Sequence, residues 1–176
     1  MKLTFRRSRP PTASAELRAL DQMVLDMLEV QQIEKHELDI DKLMAESNSF
    51  FDLHWNEKAL GLPPEWKSWE TFLDGSVPNY QYGGCYALFS GDELVYLGLG
   101  ASRGGGIYPQ HGISRRLMAH VLRSDPASGP YRSKLMDNWI DITAIWTLGF
   151  PSNEYLAAAL EGYLIRSLSP VRNARV

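Results

Sequence analysis

Cysteine is almost missing from this chain: Cys85 is the single one in 176 residues. A lone thiol excludes an internal disulfide, and it excludes zinc sites of the ribbon or finger type, which need several thiolates. Long apolar runs are missing too, since no stretch approaches the ~18 residues of a membrane span. The opening segment, Met1 to Pro11, has basic residues but no following apolar core of an export signal. Internal repeats and low-complexity tracts do not occur. These absences set the expectation of a cytoplasmic chain with no membrane partner. An apolar fraction of 44% with five tryptophans is ample for a packed core, so the chain should be globular. Its length fits one ordinary domain, or a domain of about 90 residues behind a substantial N-terminal extension.

A net charge of −3 argues at first against a nucleic-acid partner, but the charge is uneven. Residues 84–176 carry nine Lys+Arg against seven Asp+Glu, while residues 1–83 carry nine against fourteen, so the acidity belongs to the N-terminal part. Lys2, Arg6, Arg7 and Arg9 form a short basic tail, which reads as a soluble end or as a phosphate contact.

Periodicity divides the chain. From Ala13, with Thr12 as cap, Leu17, Leu20, Val24, Met27 and Leu28 share one helical face. A second helical stretch is expected at Ile40 to Ala45 after Asp39. A third is expected after Pro63-Pro64, where Trp66, Trp69 and Phe72 recur at near-helical spacing. Glycines and a proline between Asp74 and Gly84 mark a boundary, giving a helical extension over 1–80 and a second unit over 81–176. There, Cys85 to Phe89 and Leu94 to Leu97 flank Ser90-Gly91-Asp92, a tight β-hairpin. A glycine-rich loop, Gly98 to Gly112, precedes a helix from Ile113 to Arg123. A strand at Ile142 to Leu148 and a helix from Glu154 to Leu168 follow. The expected fold is α+β, a small three-stranded antiparallel sheet in β-β-α-β-α order flanked by helices.

Several side chains in this pattern carry chemistry. Arg116, His120 and Arg123 are spaced by four and three residues, so on one helix they share a face beside the apolar stripe of Ile113, Leu117 and Val121. A guanidinium there suits a phosphate, although a solvated basic face has the same pattern. Glu161 adjoins the row Leu156, Leu160, Leu164 and Leu168, where a carboxylate borders apolar surface and is costly unless paired or metal-bound. Tyr86 and Tyr96 lie on the two arms of the hairpin. A phenol ionises near ~10, so it serves as a base only if a cation or metal lowers that value.

Taken in order, Gly84-Cys85-Tyr86, Tyr96-Leu97-Gly98, Arg116 with His120 one turn later, and Glu161-Gly162-Tyr163-Leu164-Ile165 continuing to Pro170 and Asn173 resemble the GIY-YIG nuclease family over residues 82–176. The resemblance implies a metal-dependent DNA endonuclease with Tyr86, Tyr96, Arg116, His120 and Glu161 as catalytic residues. Glu161 would hold one divalent ion, Mg²⁺ or Mn²⁺. Tyr86 would help deprotonate the attacking water with Tyr96 and His120 assisting, and Arg116 would bind the phosphate. Asn173 would anchor the wall of the site, and it joins Arg103, Arg115 and Arg123 as the expected DNA-facing set. Cys85 replaces the middle residue of the first motif, and Leu99 stands where many members carry a polar or basic residue. The literal Gly106-Ile107-Tyr108 falls in the loop after the second motif and is a decoy. The N-terminal helices are expected to serve homodimerisation, substrate selection or partner binding. The competing expectation is a nucleic-acid-binding or protein-interaction module that keeps the fold with little catalysis.

Overall fold

The computed structural model describes residues 39–101 and 111–173. The first amphipathic helix, the basic tail, Arg103 and the Gly106-Ile107-Tyr108 string lie outside the described residues. Helix α1 occupies residues 39–54. After it come α2 (Glu57–Leu60), β1 (Lys67–Ser68), β2 (Gly83–Ser90), β3 (Glu93–Gly100) and α3 (Gly112–His120). The chain continues through β4 (Leu122–Ser124), β5 (Ser133–Leu135), a 3₁₀ turn (Asp137–Trp139), β6 (Ala144–Phe150) and α4 (Tyr155–Leu168). Among the described residues no helix is long and apolar enough to cross a membrane.

The expected single three-stranded sheet is corrected. A four-stranded sheet in the order β1-β6-β2-β3 stands beside a separate two-stranded sheet, β4-β5, and every pairing is antiparallel. Two local misreadings account for the difference. Trp66, Trp69 and Phe72 do not lie on a helix. The segment between the two tryptophans is β1, which pairs with β6, and the two indoles enter different cores. Trp66 donates its ring N–H to Ser47 Oγ on α1 at 2.8 Å, whereas Trp69 donates to the Asp74 carbonyl at 3.2 Å. A spacing of three residues is helical in sequence, but these side chains found opposite faces of a sheet. The second misreading is the helix to Arg123: α3 ends at His120, and Leu122–Ser124 pair with Ser133–Leu135 instead.

The β2–β3 hairpin closes through Gly91-Asp92, with Gly91 at φ 56°, a left-handed conformation that glycine adopts without a Cβ penalty. Strand β2 is central and buried at every position before Ser90. It is covered on both faces, which is why it reads as an unbroken apolar run and shows no alternation. On one face Cys85, Ala87 and Phe89 pack with α1 and α4 through Leu43, Phe50, Leu160 and Leu164. Residues 39–54 thus share a hydrophobic core with the second half of the chain. On the other face Tyr86 and Leu88 pack with Ile113 and Leu117 of α3.

Helix α3 crosses very close to the sheet. A Cβ at Gly100 would lie 2.5 Å from Ile113 Cα, and one at Gly84 would lie 2.0 Å from the Leu148 carbonyl oxygen. Glycine at 100 lets the helix backbone approach the hairpin, while glycine at 84 lets β2 lie against the backbone of β6. The helix is also anchored by its Ile113 N–H, which donates to the Tyr82 carbonyl at 3.0 Å.

Strand β3 is the open edge of the sheet, and the C-terminal segment covers it. Arg172 N–H donates to the Val95 carbonyl at 2.9 Å. The Asn173 side chain accepts from Leu97 N–H at 2.7 Å and donates to the Leu97 carbonyl at 2.8 Å. One buried amide therefore stands in for a strand residue and blunts an edge that could pair with another chain. Asn173→Ala strips both partners from a buried backbone unit, and a loss of about 2–3 kcal/mol is expected. Urea unfolding should show a lower midpoint at unchanged slope; an unchanged midpoint would disprove the clamp.

Candidate active site

The two tyrosines come together because β2 and β3 pair in a fixed register. Tyr86 lies opposite Gly98, and Tyr96 lies opposite Leu88. All four therefore face α3. Tyr86 lays its ring across Gly98, where an added Cβ would sit 2.4 Å from Cζ and 2.5 Å from the hydroxyl. Its ring centroid is 6.0 Å from that of Tyr96. Tyr86 is buried and Tyr96 half-buried.

Arg116 enters from the exposed side of α3. It hydrogen-bonds to the Tyr86 hydroxyl, and its guanidinium donates to Nε2 of His120 one turn further on. Arginine has no acceptor atom, so Nε2 is the acceptor and the proton of the neutral ring sits on Nδ1. Burial, and after it the neighbouring Tyr96, raise the Tyr86 phenol above its ordinary 10 against the lowering pull of Arg116. Tyr86 is thus a neutral phenol at physiological pH, with Arg116 the cation at its oxygen.

Glu161 arrives from the opposite face of the sheet. Helix α4 packs on the Cys85 side, and Glu161 reaches the outer edge of β3, where the Leu99 N–H donates to its carboxylate. Val95, Leu97 and Leu99 are alternate residues of one strand, so all turn their backbone groups outward, to Arg172, Asn173 and Glu161 in turn. The edge brings Glu161 within the electrostatic reach of Arg116. Tyr86, Tyr96, Arg116, His120 and Glu161 therefore meet at one corner of the molecule, around the end of β3.

Burial raises the Glu161 carboxyl above its ordinary 4.5, outweighing the Leu99 N–H and the Arg116 charge. The folded chain then holds this proton more tightly than the unfolded chain does. Without metal, Glu161 destabilises the fold fully at pH above its folded pKa, and the penalty is relieved as pH falls through that value towards 4.5. Asp125 and Asp141 have the opposite sign, because Ser128 and Arg172 respectively hold them low. The readout is therefore the difference in thermal midpoint between parent and Glu161→Gln, in chelator, at stepped pH. The gap should be widest near neutrality, in favour of the variant, and close towards 4.5; parallel curves would contradict it.

The expected DNA-facing residues fare differently. Arg115 is exposed on α3. Arg123, on β4 and not on α3, pairs with Asp137 at 2.9 Å. Asn173 is buried with its amide engaged by Leu97, and Arg103 is outside the described residues. Among the described residues no group of three His, Cys, Asp or Glu side chains is placed to hold a metal ion. Cys85 lies beneath Glu161: its Sγ donates to the Ala157 carbonyl at 3.2 Å, and burial, then the Glu161 charge, push the thiol up. It is a neutral packing residue.

Sequence reasoning missed Trp139. Its indole N–H donates to the His120 carbonyl at 2.6 Å, at the end of α3, and its ring meets Tyr96 edge-on at 5.2 Å. Arg172 lies over its face at 5.1 Å and pairs with Asp141. Trp139 thereby ties the C-terminal segment to both Tyr96 and His120. It sits in a 3₁₀ turn with no periodicity around it, so no pattern in the chain marks it. Comparisons with protein-family models, curated proteins and solved structures found no match to this chain.

Proposed function

We propose that this protein is a metal-dependent endonuclease of the GIY-YIG type that hydrolyses DNA phosphodiesters at the end of β3. The observation that carries the reading is the meeting of a guanidinium, two phenols and an imidazole from one face of the sheet with a carboxylate that comes round its edge from the other. Tyr86 belongs to the core beneath the site, but the other four have little packing reason to converge on it: Arg116 and His120 are exposed, and Tyr96 and Glu161 are only partly buried.

The donor set fits a magnesium-like ion. Such an ion keeps several waters and takes only one or two protein carboxylates, the rest coming from substrate phosphate. Glu161 is the residue that would hold it, at a carboxylate already oriented by the Leu99 N–H. When bound, the ion supplies charge stabilisation at the phosphoryl oxygens and lowers the pKa of water. The chain does the rest. Arg116 turns from His120 to the non-bridging oxygens of the phosphate and stabilises the charge that develops on them. His120 is thereby released from Arg116, and Nε2 accepts the proton of the attacking water. Tyr96, partly open to solvent, orients that water, and the neutral Tyr86 behind it holds Tyr96 and Arg116 by hydrogen bonds. Arg115 adds a phosphate contact beside the site. The lone buried cysteine suits a cytoplasmic chain.

Supercoiled plasmid with Mg²⁺ or Mn²⁺, incubated beside the Glu161→Ala variant, tests this. Nicking by the parent and none by the variant is expected. Equal activity of the two would sink the role of Glu161. Inactivity of the parent on plasmid, branched and single-stranded DNA, with salt-sensitive binding retained, would favour a binding module instead.

A further inference from the structure

A cleft of about 180 Å³ opens directly beside this corner, between the first turn of α4 and the paired ends of β2 and β3. Leu99, whose N–H holds Glu161, forms one wall, and Ala158, one helical turn before Glu161, forms another. Gly83 and Gly84 form the side made by β2. The walls are small, so a flat ring could lie against backbone. Two functional side chains border the cleft. Tyr155 is 72% exposed at its rim. The Glu154 carboxylate lies over Gly83, whose missing Cβ would stand 2.8 Å from Oε2.

Glu154 calls for an explanation. Among the described residues no ion pair or hydrogen bond engages its carboxylate. It precedes Glu161 by seven residues, a separation of about 10 Å along a helix, so the two cannot share one metal ion. Next to a phosphate-binding site a negative charge with no cation on it among the described residues repels the nucleic-acid backbone. What a carboxylate recognises in a nucleic acid is the N–H donors of a base. Guanine fits best, because its Watson–Crick edge offers a ring N–H and an exocyclic amine side by side to two carboxylate oxygens. Cytosine and adenine offer their amine next to a ring acceptor, and thymine flanks its one N–H with carbonyls. That edge is free only when the base is unpaired or turned out of the duplex. An exposed tyrosine at the rim is the stacking surface such a base needs.

We propose that this cleft is a subsite for an unpaired guanine next to the phosphate being cut, read by the Glu154 carboxylate and stacked on Tyr155. The proposal rests on the nuclease reading and assigns its substrate class: single-stranded or locally unpaired DNA with guanine at a fixed step from the cut.

Two measurements test it. In the first, parent, Glu154→Gln and Tyr155→Ala are given Mn²⁺ and single-stranded oligonucleotides with one guanine in a thymine tract. The parent should cut at a constant step from the guanine, and both variants should lose that preference about tenfold. In the second, without metal, deoxyguanosine monophosphate and thymidine monophosphate are titrated while the amide resonances of Gly84 and Ala158 are followed. The guanine nucleotide should bind about tenfold more tightly, and Glu154→Gln should abolish the difference. Both side chains are exposed, so the variants should fold, as their spectra will report. Equal binding of the two nucleotides, or discrimination unchanged in Glu154→Gln, overturns the subsite. The nuclease reading fails separately, if Glu161→Ala cuts as the parent does, and the metal-free titration still decides the subsite.

Discussion

Replacing Arg116 with alanine is expected to lower the rate of DNA cleavage by about 10²–10³-fold while leaving the thermal midpoint close to that of the parent. Arg116 reaches three of the other four members of the site: it bonds Tyr86 and His120, and its charge acts on Glu161. It is exposed and buries little, so its removal costs the fold almost nothing. In the proposed reaction the loss falls on charge stabilisation at the phosphate, which belongs to the transition state and should therefore appear in kcat. DNA binding should weaken modestly, with the slope of affinity against salt reduced by about one. Lysine should not restore the rate, because a point charge lacks the paired donors that meet two phosphate oxygens at once. Activity of Arg116→Ala within twofold of the parent would remove Arg116 from the chemistry.

Gly98→Val should be the most destabilising single change at the site, with an expected cost of about 2–5 kcal/mol. The cause is an exact collision, since even a Cβ at position 98 would enter the Tyr86 ring, at 2.4 Å from Cζ. Tyr86 can be displaced only by disturbing its packing, because it is enclosed by the sheet and by Leu117 and Ile113 of α3. Alanine tests the same contact with the smallest perturbation. Pairing Gly98→Ala with Tyr86→Leu shortens the colliding side chain, so the double variant should lose less stability than the two single losses added together. Urea midpoints of the four proteins decide it; additive losses would mean that Gly98 and Tyr86 are not in conflict. Cleavage should fall with Gly98→Ala in either case, because a displaced Tyr86 no longer holds Arg116 and Tyr96.

These two residues show how differently the chain discloses its structure. Arg116, His120 and Glu161 were visible from helical spacing, because a helix repeats and an exposed or bordering charge stands out against an apolar row. The hairpin was visible in Ser90-Gly91-Asp92 between two apolar runs. Both are local signals. Gly98, by contrast, reads locally as the end of a motif, and its reason lies in register: it must be a glycine because Tyr86, twelve positions earlier in the chain, lies opposite. The tryptophans misled for the same reason. Trp66 and Trp69 kept helical spacing while serving the two faces of a sheet, and only the pairing of β1 with β6 separates those cases.

Residue order alone was enough to establish an α+β chain with an apolar hairpin, an arginine and histidine one turn apart, and a carboxylate bordering a leucine row. Local periodicity and turn chemistry carry that much, because they depend on neighbours within a few positions. Pairing across the sheet decided the rest: a fourth strand, a separate β4–β5 hairpin, Trp139 beneath His120, and Asn173 as a clamp in place of a DNA contact. It also decided that Glu161 and Arg116, on helices at opposite faces, meet at all. They do so because β3 is an edge strand, and an edge is where the two sides of a sheet are open to each other.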